Sequence, residues 1–245
     1  MKTIFLIPII ALISTACDKN ENHVLKYDTI VLNAYVINNF TDDAKQIYFD
    51  EIFHDSTHVN YNNPILDSNE IIKILKLIQT VYNSDAPERD TVFELYQIHG
   101  FYCYSFHSIS LKVQTELPEI QNLANGIIPT GETELDNLLA TYDFDSVKTF
   151  YGYPGFPWLT IYTKVEYNMI PIEKSFNDLP SVVIAEFNKG CVGDGNTITI
   201  ERTNSSATVT FSIGQGDCPA GCIYHKYWEF RVEGATATFV RSYTN

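Results

Sequence analysis

The carboxy-terminal part of the chain contains four segments in which apolar and polar side chains alternate. These segments are residues 197–203, 208–213, 223–232 and 236–243. Alternation with a period of two places every second side chain on one face, which is typical of a strand with one buried face. The connections at 204–206 and 233–234 contain Asn, Ser or Gly, which form tight turns. Residues 191–245 are therefore predicted to form an antiparallel β-meander with one face in the core.

The preceding region, residues 131–190, has a different pattern in which short helical and extended segments follow one another. Apolar residues at 3- and 4-residue spacing predict helices over 132–142 and 170–179. Segments rich in β-branched and aromatic residues predict strands at 146–151, 159–167 and 181–187. Helix–strand–strand–helix–strand is most of a split β-α-β arrangement, so this region is predicted to be a ferredoxin-like α/β unit.

The amino-terminal region, residues 28–130, is predicted to contain helix and strand. The clearest helix is 67–82, where Asp67 or Ser68 can cap the amino terminus and Glu70 lies in the first turn. Residues 28–38 are predicted to be a strand, 45–54 either strand or helix, and 91–98 with 101–113 a hairpin. The chain as a whole is thus predicted to be α+β, with three successive parts.

The first 17 residues have the layout of an export signal, because Lys2 precedes an apolar run from Ile4 to Ile13 and small residues lead to Cys17. The segment resembles a bacterial lipoprotein signal, although Ser14 stands where that family usually has Leu. The resemblance implies that Cys17 is lipidated and becomes the first mature residue, with 17–27 as a tether. The protein is then expected in the cell envelope, at the outer membrane or cell surface, and attached to the membrane by its lipid.

The charge balance excludes one class of partner. The chain has 30 acidic and 16 basic side chains and a formal net charge of -14. Nucleic-acid-binding proteins carry basic patches, so nucleic acid is not expected as a partner. A protein or glycan partner remains open.

Four cysteines remain if Cys17 carries lipid: Cys103, Cys191, Cys218 and Cys222. An even number in an exported protein predicts disulfides. We expect Cys218 to pair with Cys222, with Cys191 and Cys103 as the remaining candidate pair, and a Cys218–Cys191 bond is the alternative. The alternative is a zinc site in which Cys218, Cys222 and His225 have C-x3-C-x2-H spacing and Cys191 completes the ligands. Disulfides are favoured, and no metal or cofactor is predicted.

Sequence motifs for catalysis are missing. The chain has no G-x-S-x-G, P-loop or G-x-G-x-x-G motif. The acidic pair Asp42-Asp43 is interpreted as solvated surface charge, and the loop 192–196 around Asp194 as a turn rather than a cation site. Aromatic side chains in a loop rich in Pro and Gly are predicted to form either a contact surface or a lid over a small core: Tyr153, Phe156 and Trp158.

Residues 176–188, FNDLPSVVIAEFN, resemble the end of subtilase propeptides of the inhibitor I9 type. Within 131–188 this resemblance implies a ferredoxin-like fold and a protease-inhibitor or intramolecular-chaperone role. The pattern GDC-x-x-GC followed by YW-x-F, residues 216–230, also resembles uncharacterised exported bacterial proteins and implies no activity. The leading prediction is a non-catalytic binding or structural module of the envelope. The alternatives are a protease inhibitor and a hydrolase of envelope polymers.

Overall fold

The computed structural model of the protein describes residues 25, 29–151 and 157–245. In these residues the chain forms helices and two four-stranded antiparallel sheets, which confirms the predicted α+β class. The helices are α1 (Ala34–Phe53), α2 (Ser68–Tyr82), α3 (Pro87–Asp90), α4 (Pro118–Ala124), α5 (Thr133–Thr141) and α6 (Met169–Asn177). The strands are β1 (Ser108–Val113), β2 (Phe144–Tyr151), β3 (Pro157–Thr163), β4 (Val182–Glu186), β5 (Thr197–Arg202), β6 (Ser206–Gln215), β7 (Tyr224–Glu233) and β8 (Thr236–Thr244). None of the helices that the structure describes is long and apolar enough to cross a membrane.

The first sheet has the strand order β2-β3-β1-β4, and every neighbouring pair is antiparallel. Helices α4 and α5 connect β1 to β2, and α6 connects β3 to β4, so the unit is βαββαβ, as in the ferredoxin-like arrangement. Its first strand begins at Ser108, so the boundary predicted at residue 131 lies too late. Strand β1 is far from β3 in sequence, and the local pattern gave no indication that Ser108 pairs with Tyr162.

The second sheet has the order β5-β6-β7-β8 and confirms the predicted meander. Ile198, Val209, Phe211 and Phe230 lie on its buried face and are at most 1% exposed. Helices α1 and α2 cover this face, and their apolar side chains join the same core. The amino-terminal region and the meander, which were predicted as separate parts, therefore share one hydrophobic core.

Helix α1 occupies much of the segment that was predicted to be a strand. Asn33 caps its amino terminus, because the Asn33 side chain accepts a hydrogen bond from Val36 N at 2.8 Å. Val36, Phe40 and Ala44 recur at 4-residue spacing and are fully buried against the second sheet. Packing of this apolar stripe outweighs the β propensity of the segment. Helix α2 begins at Ser68 with Asp67 as its cap, as predicted.

The predicted hairpin of 91–98 and 101–113 is wrong in its first half. Residues Thr91–Leu95 form a π-helical turn that continues α3. The turn buries Val92 and Phe93, and the Phe93 ring contacts both Phe40 and Phe211 at 5.3 Å between ring centroids. The apolar residues of this segment thus pack between α1 and the second sheet, and the segment has no strand partner.

The ferredoxin-like unit is inserted in the chain between the two parts of the first core. Its two connections run side by side, since Tyr104 and Lys189 form an antiparallel bridge. Between its sheet and α4, α5 and α6 lies a second hydrophobic core. Phe49 of α1 is fully buried in that second core, while its neighbour Tyr48 belongs to the first. Helix α1 therefore contributes side chains to both cores.

Candidate functional site

Several predicted site residues lie outside the described residues. These are Cys17, Tyr153 and Phe156. Lipidation of Cys17 and the contact role of the two aromatic side chains therefore stay predictions. The remaining predicted residues fall at two separate places, namely one face of the first sheet and one end of the second.

Trp158 lies on the face of the first sheet that is opposite the core. Alternate residues of β1 and β3, such as Leu111 and Leu159, point to the helices and are buried. Trp158 pairs with Lys112 of β1, and Lys112 in turn pairs with Ile184 of β4, so the three side chains form one row across the sheet. We call this surface the Trp158 face. It comprises Ser108, Ser110, Lys112, Ser146, Lys148, Trp158, Thr160, Tyr162, Ile184 and Glu186.

The Trp158 face combines aromatic rings, hydroxyl groups and positive charge. Lys148 Nζ lies 5.1 Å from the centroid of the Tyr162 ring, a cation–π distance. The hydroxyls of Ser110 and Thr160 are hydrogen-bonded to each other at 3.0 Å. The face has two lysines and one glutamate, whereas the whole chain has a formal charge of -14. It is therefore locally basic on an acidic protein.

The four described cysteines form two disulfides near one end of the second sheet. Cys218 is bonded to Cys222, with their Cα atoms 3.9 Å apart, and Cys103 is bonded to Cys191, with Cα atoms 5.2 Å apart. The prediction of disulfides is thereby confirmed. In this state every thiol of the alternative zinc site is consumed, because a disulfide sulfur is not a thiolate ligand.

The loop at 192–196 folds back on the Cys218–Cys222 turn. Asp194 N donates to the Cys218 carbonyl at 2.8 Å, and Gly193 adopts a φ of 98°, which favours glycine. The Asp194 carboxylate accepts a hydrogen bond of 2.7 Å from His225 Nε2, and this bond lowers the pKa of Asp194. The loop bends at Val192 and Gly193 and places a carboxylate against an imidazole.

Asp194, Cys222 and His225 are brought together by this turn. One carboxylate oxygen, the Cys222 Sγ and one imidazole nitrogen all lie within 4.8 Å of one another. Gly214 makes this approach possible, since a Cβ atom at that position would overlap Cys222 Sγ and lie 3.1 Å from His225 Cε1. Within the described residues this is the one group of three or more His, Cys, Asp or Glu side chains with such spacing.

A third site was missed from the sequence. Asp43 of α1 is 5% exposed, accepts a hydrogen bond of 2.7 Å from His99 Nδ1 and accepts another of 2.7 Å from Gly100 N. The hydrogen bond to Asp43 raises the pKa of His99. The prediction that Asp43 is solvated surface charge is therefore wrong. Asp43 lies three residues after Phe40 and four before Ile47, so α1 places it within the buried stripe.

A cavity of about 370 Å³ adjoins the Asp43–His99 pair. An imidazole oriented by a carboxylate is the acid–base part of a catalytic triad, which also needs a nucleophile. Tyr102 has the one hydroxyl among the residues that line this cavity, and it donates to the Ile198 carbonyl while burial raises its pKa. Asp42 pairs with Lys45 at 3.1 Å and not with Asp43. The hydrogen bonds of Asp43 to His99 and Gly100 join α1 to the segment that precedes the ferredoxin-like unit, which is a structural role.

Comparison of the chain with models of protein families, with curated proteins and with solved structures finds no match. The function is therefore argued from the chemistry of the three sites.

Proposed function

We propose that the protein is an exported, lipid-anchored binding protein of the bacterial envelope, and that its Trp158 face binds an anionic glycan. The observation that carries the proposal is the row of Trp158, Lys112 and Ile184 on a sheet face directed away from both helices and core. Ile184 is 40% exposed there, although burial of such a side chain is favourable.

The chemistry of the face favours a glycan that carries carboxylate or phosphate groups. A flat indole ring offers a large apolar area to the C–H face of a sugar ring at little cost in conformational entropy. Lys112 and Lys148 supply positive charge for an anionic substituent, and the surrounding hydroxyls supply donors and acceptors. Because this face has more basic than acidic side chains, an anionic polymer meets less repulsion here than the net charge of the protein would suggest.

A lipid anchor at Cys17 would keep the protein at the membrane, which fits the binding of an envelope polymer. Each buried methylene group of a lipid contributes about 0.8 kcal/mol to membrane attachment. The polar segment 18–23 follows Cys17 in the sequence, as a tether would. A binding face carried by such a tether would hold envelope polymers close to the membrane surface.

We expect the protein extracted from membranes to have the mass of an acylated chain that begins at Cys17, and to bind polygalacturonate but not neutral dextran. Trp158→Ala should weaken binding of polygalacturonate by about tenfold or more, since a central aromatic contact commonly contributes over 1 kcal/mol. Isothermal titration at two salt concentrations measures this, and Lys112→Ala should reduce the salt dependence.

Tyr243→Ala is the matched control, because Tyr243 is a 39% exposed aromatic residue on the second sheet, stacked on Tyr227. It should bind polygalacturonate like the unaltered protein. Equal affinity for dextran, or equal losses in the Trp158 and Tyr243 variants, would contradict the proposed binding face.

A protease inhibitor is the second candidate function. The βαββαβ order and the position of β4 at a sheet edge support it, because these are the features that the resemblance of residues 176–188 to subtilase propeptides implies. An exposed edge strand can also pair with an extended segment of another protein. In this role the ferredoxin-like unit would bind a protease, and its partner would not be a glycan.

We expect, if this second function holds, that micromolar protein inhibits a subtilisin-type protease in a peptide-hydrolysis assay and leaves a chymotrypsin-type protease active. The chymotrypsin-type protease is the control, because any added protein can compete weakly with the peptide as a substrate of either protease. Undiminished hydrolysis by the subtilisin-type protease would end this candidate and leave the binding function intact.

A further inference from the structure

We propose that reduction of the Cys218–Cys222 disulfide converts the end of the second sheet into a zinc site, in which Cys218, Cys222 and His225 are ligands and Asp194 orients His225. The site does not depend on the Trp158 face, which lies on the other sheet. In the oxidised structure described above, its two sulfur atoms are bonded to each other.

The distances in the oxidised state are close to those of a metal site. The Cys222 sulfur, one His225 nitrogen and one Asp194 oxygen lie within 4.8 Å of one another. Sulfur and nitrogen ligands of a tetrahedral zinc ion are about 3.5 Å apart, given bond lengths near 2.3 and 2.0 Å. The Cys222 sulfur and the imidazole therefore need to approach each other by a few ångström at most, which a surface turn can supply. The single 3-10 turn Cys218–Ala220 and the exposed Gly221 form the part of the loop that would move.

His225 is already arranged as a metal ligand. Its Nε2 donates to Asp194 at 2.7 Å, whereas its Nδ1 is buried and has no hydrogen-bond partner among the described residues. A buried polar atom without a partner costs about 1–3 kcal/mol. Histidine ligands commonly donate one ring N–H to a carboxylate while the other nitrogen binds the metal. A zinc ion at Nδ1 would satisfy the unpaired atom and leave the Asp194 bond in place.

The two cysteines have the spacing of paired zinc ligands. Three residues lie between Cys218 and Cys222, within the C-x2–4-C range of structural zinc sites, and their Cα atoms are 3.9 Å apart. Thiolates and imidazole together favour zinc over magnesium or calcium, which prefer oxygen ligands. The fourth position on the ion would be taken by water.

The chemical step needs an external dithiol, such as the active-site pair of a thiol–disulfide oxidoreductase. One thiolate of the dithiol attacks a sulfur of the Cys218–Cys222 bond, which breaks, and a mixed disulfide forms. The second thiolate then displaces the protein sulfur, so the dithiol is oxidised to a disulfide. Two electrons and two protons pass to Cys218 and Cys222. Zinc binding then releases both protons, because the ligands are thiolates.

The test compares oxidised and phosphine-reduced protein in a zinc titration against a chromophoric chelator. We expect the reduced chain to bind one zinc ion per molecule at this site and the oxidised chain to bind none of comparable affinity. Substituting Co²⁺ should give the visible bands of a tetrahedral ion and thiolate-to-cobalt charge transfer. Asp194→Asn should weaken zinc binding by about 10- to 100-fold, the usual loss when a partner of a ligating histidine is changed.

Two variants separate this site from other thiols. The Cys103→Ser/Cys191→Ser variant lacks the other disulfide and should bind zinc after reduction like the unaltered chain. His225→Ala should lose the tight site and shift the cobalt spectrum. Equal zinc affinity of the oxidised and reduced chains, absence of cobalt–thiolate absorption, or full affinity in His225→Ala would each overturn the proposal.

Discussion

Replacing Cys103 and Cys191 together by Ala should lower the free energy of unfolding by about 4–5 kcal/mol. The reason is the length of chain that the bond closes, because a cross-link between residues 88 apart removes many conformations from the unfolded state. Urea denaturation followed by circular dichroism, with equal slopes checked for the two proteins, measures the difference.

The Cys218→Ala/Cys222→Ala variant is the matched comparison. Its disulfide links residues only 4 apart, so the same chain-entropy relation gives a loss of about 2 kcal/mol. The order of the two losses is the important result. If the short cross-link proves as stabilising as the long one, chain entropy does not explain how these bonds act.

Asp43→Ala should destabilise the protein by about 3 kcal/mol. The buried carboxylate accepts hydrogen bonds from His99 and from the Gly100 backbone, and its removal leaves both donors without that acceptor. Hydrogen bonds to a charged group contribute about 1.5–3 kcal/mol each, and the partial exposure of His99 reduces the total. Asp43→Asn keeps the shape and an acceptor for Gly100, so it should lose less.

The same pair predicts a dependence of stability on pH. The pKa of His99 is raised in the folded state by Asp43, so protonated His99 favours folding. Its contribution is complete below the ordinary histidine pKa of about 6.5 and is lost as pH rises through the raised value. Urea denaturation at a series of pH values should therefore show this loss in the unaltered protein and a flatter profile in Asp43→Ala. An unchanged profile in that variant would show that other groups control the dependence.

The parts of the fold that were predictable are those whose cause is local. Helix α2 has a capping Asp67, an acidic first turn and apolar residues at helical spacing, and all three signals agree. The meander likewise has alternating strands joined by turns that contain Asn, Ser or Gly. Helix α2 has 15 residues and no strand of the meander has more than 10, so each is specified by a short stretch of sequence.

The parts that were missed depend on contacts between distant residues. Val36 and Ile37 have β propensity, and α2 together with the second sheet, more than 150 residues later, supplies the surface that makes α1 favourable. Strand β1 required knowledge of its pairing with β3. The Asp43–His99 bond joins residues 56 apart, and Asp43 is unremarkable as a surface residue until α1 is known to bury it.

The candidate sites also have some residues that the sequence indicates locally and others that only the fold brings together. The cysteines were found by counting, but four cysteines allow three pairings, and the bond between Cys103 and Cys191 follows from the fold alone. Trp158 was predicted to be a contact or lid residue in a loop rich in Pro and Gly, whereas the structure places it in β3, and its contact role stays a prediction. Its neighbours Lys112 and Ile184 come from two other strands, so no local pattern could have named them.

Because the two connections of the ferredoxin-like unit lie side by side, residues 104–190 form a separable insertion in the chain. The Cα atoms of Cys103 and Cys191 are only 5.2 Å apart. If residues 104–190 were removed, a short link between these two positions would therefore restore a continuous chain. Sequence changes within this insertion would leave helices α1 and α2 and the meander in place. Its removal would expose the Phe49 ring to water, and the carbonyls of Asn60, Tyr61 and Asn63 would lose the Asn168 amide that donates to them.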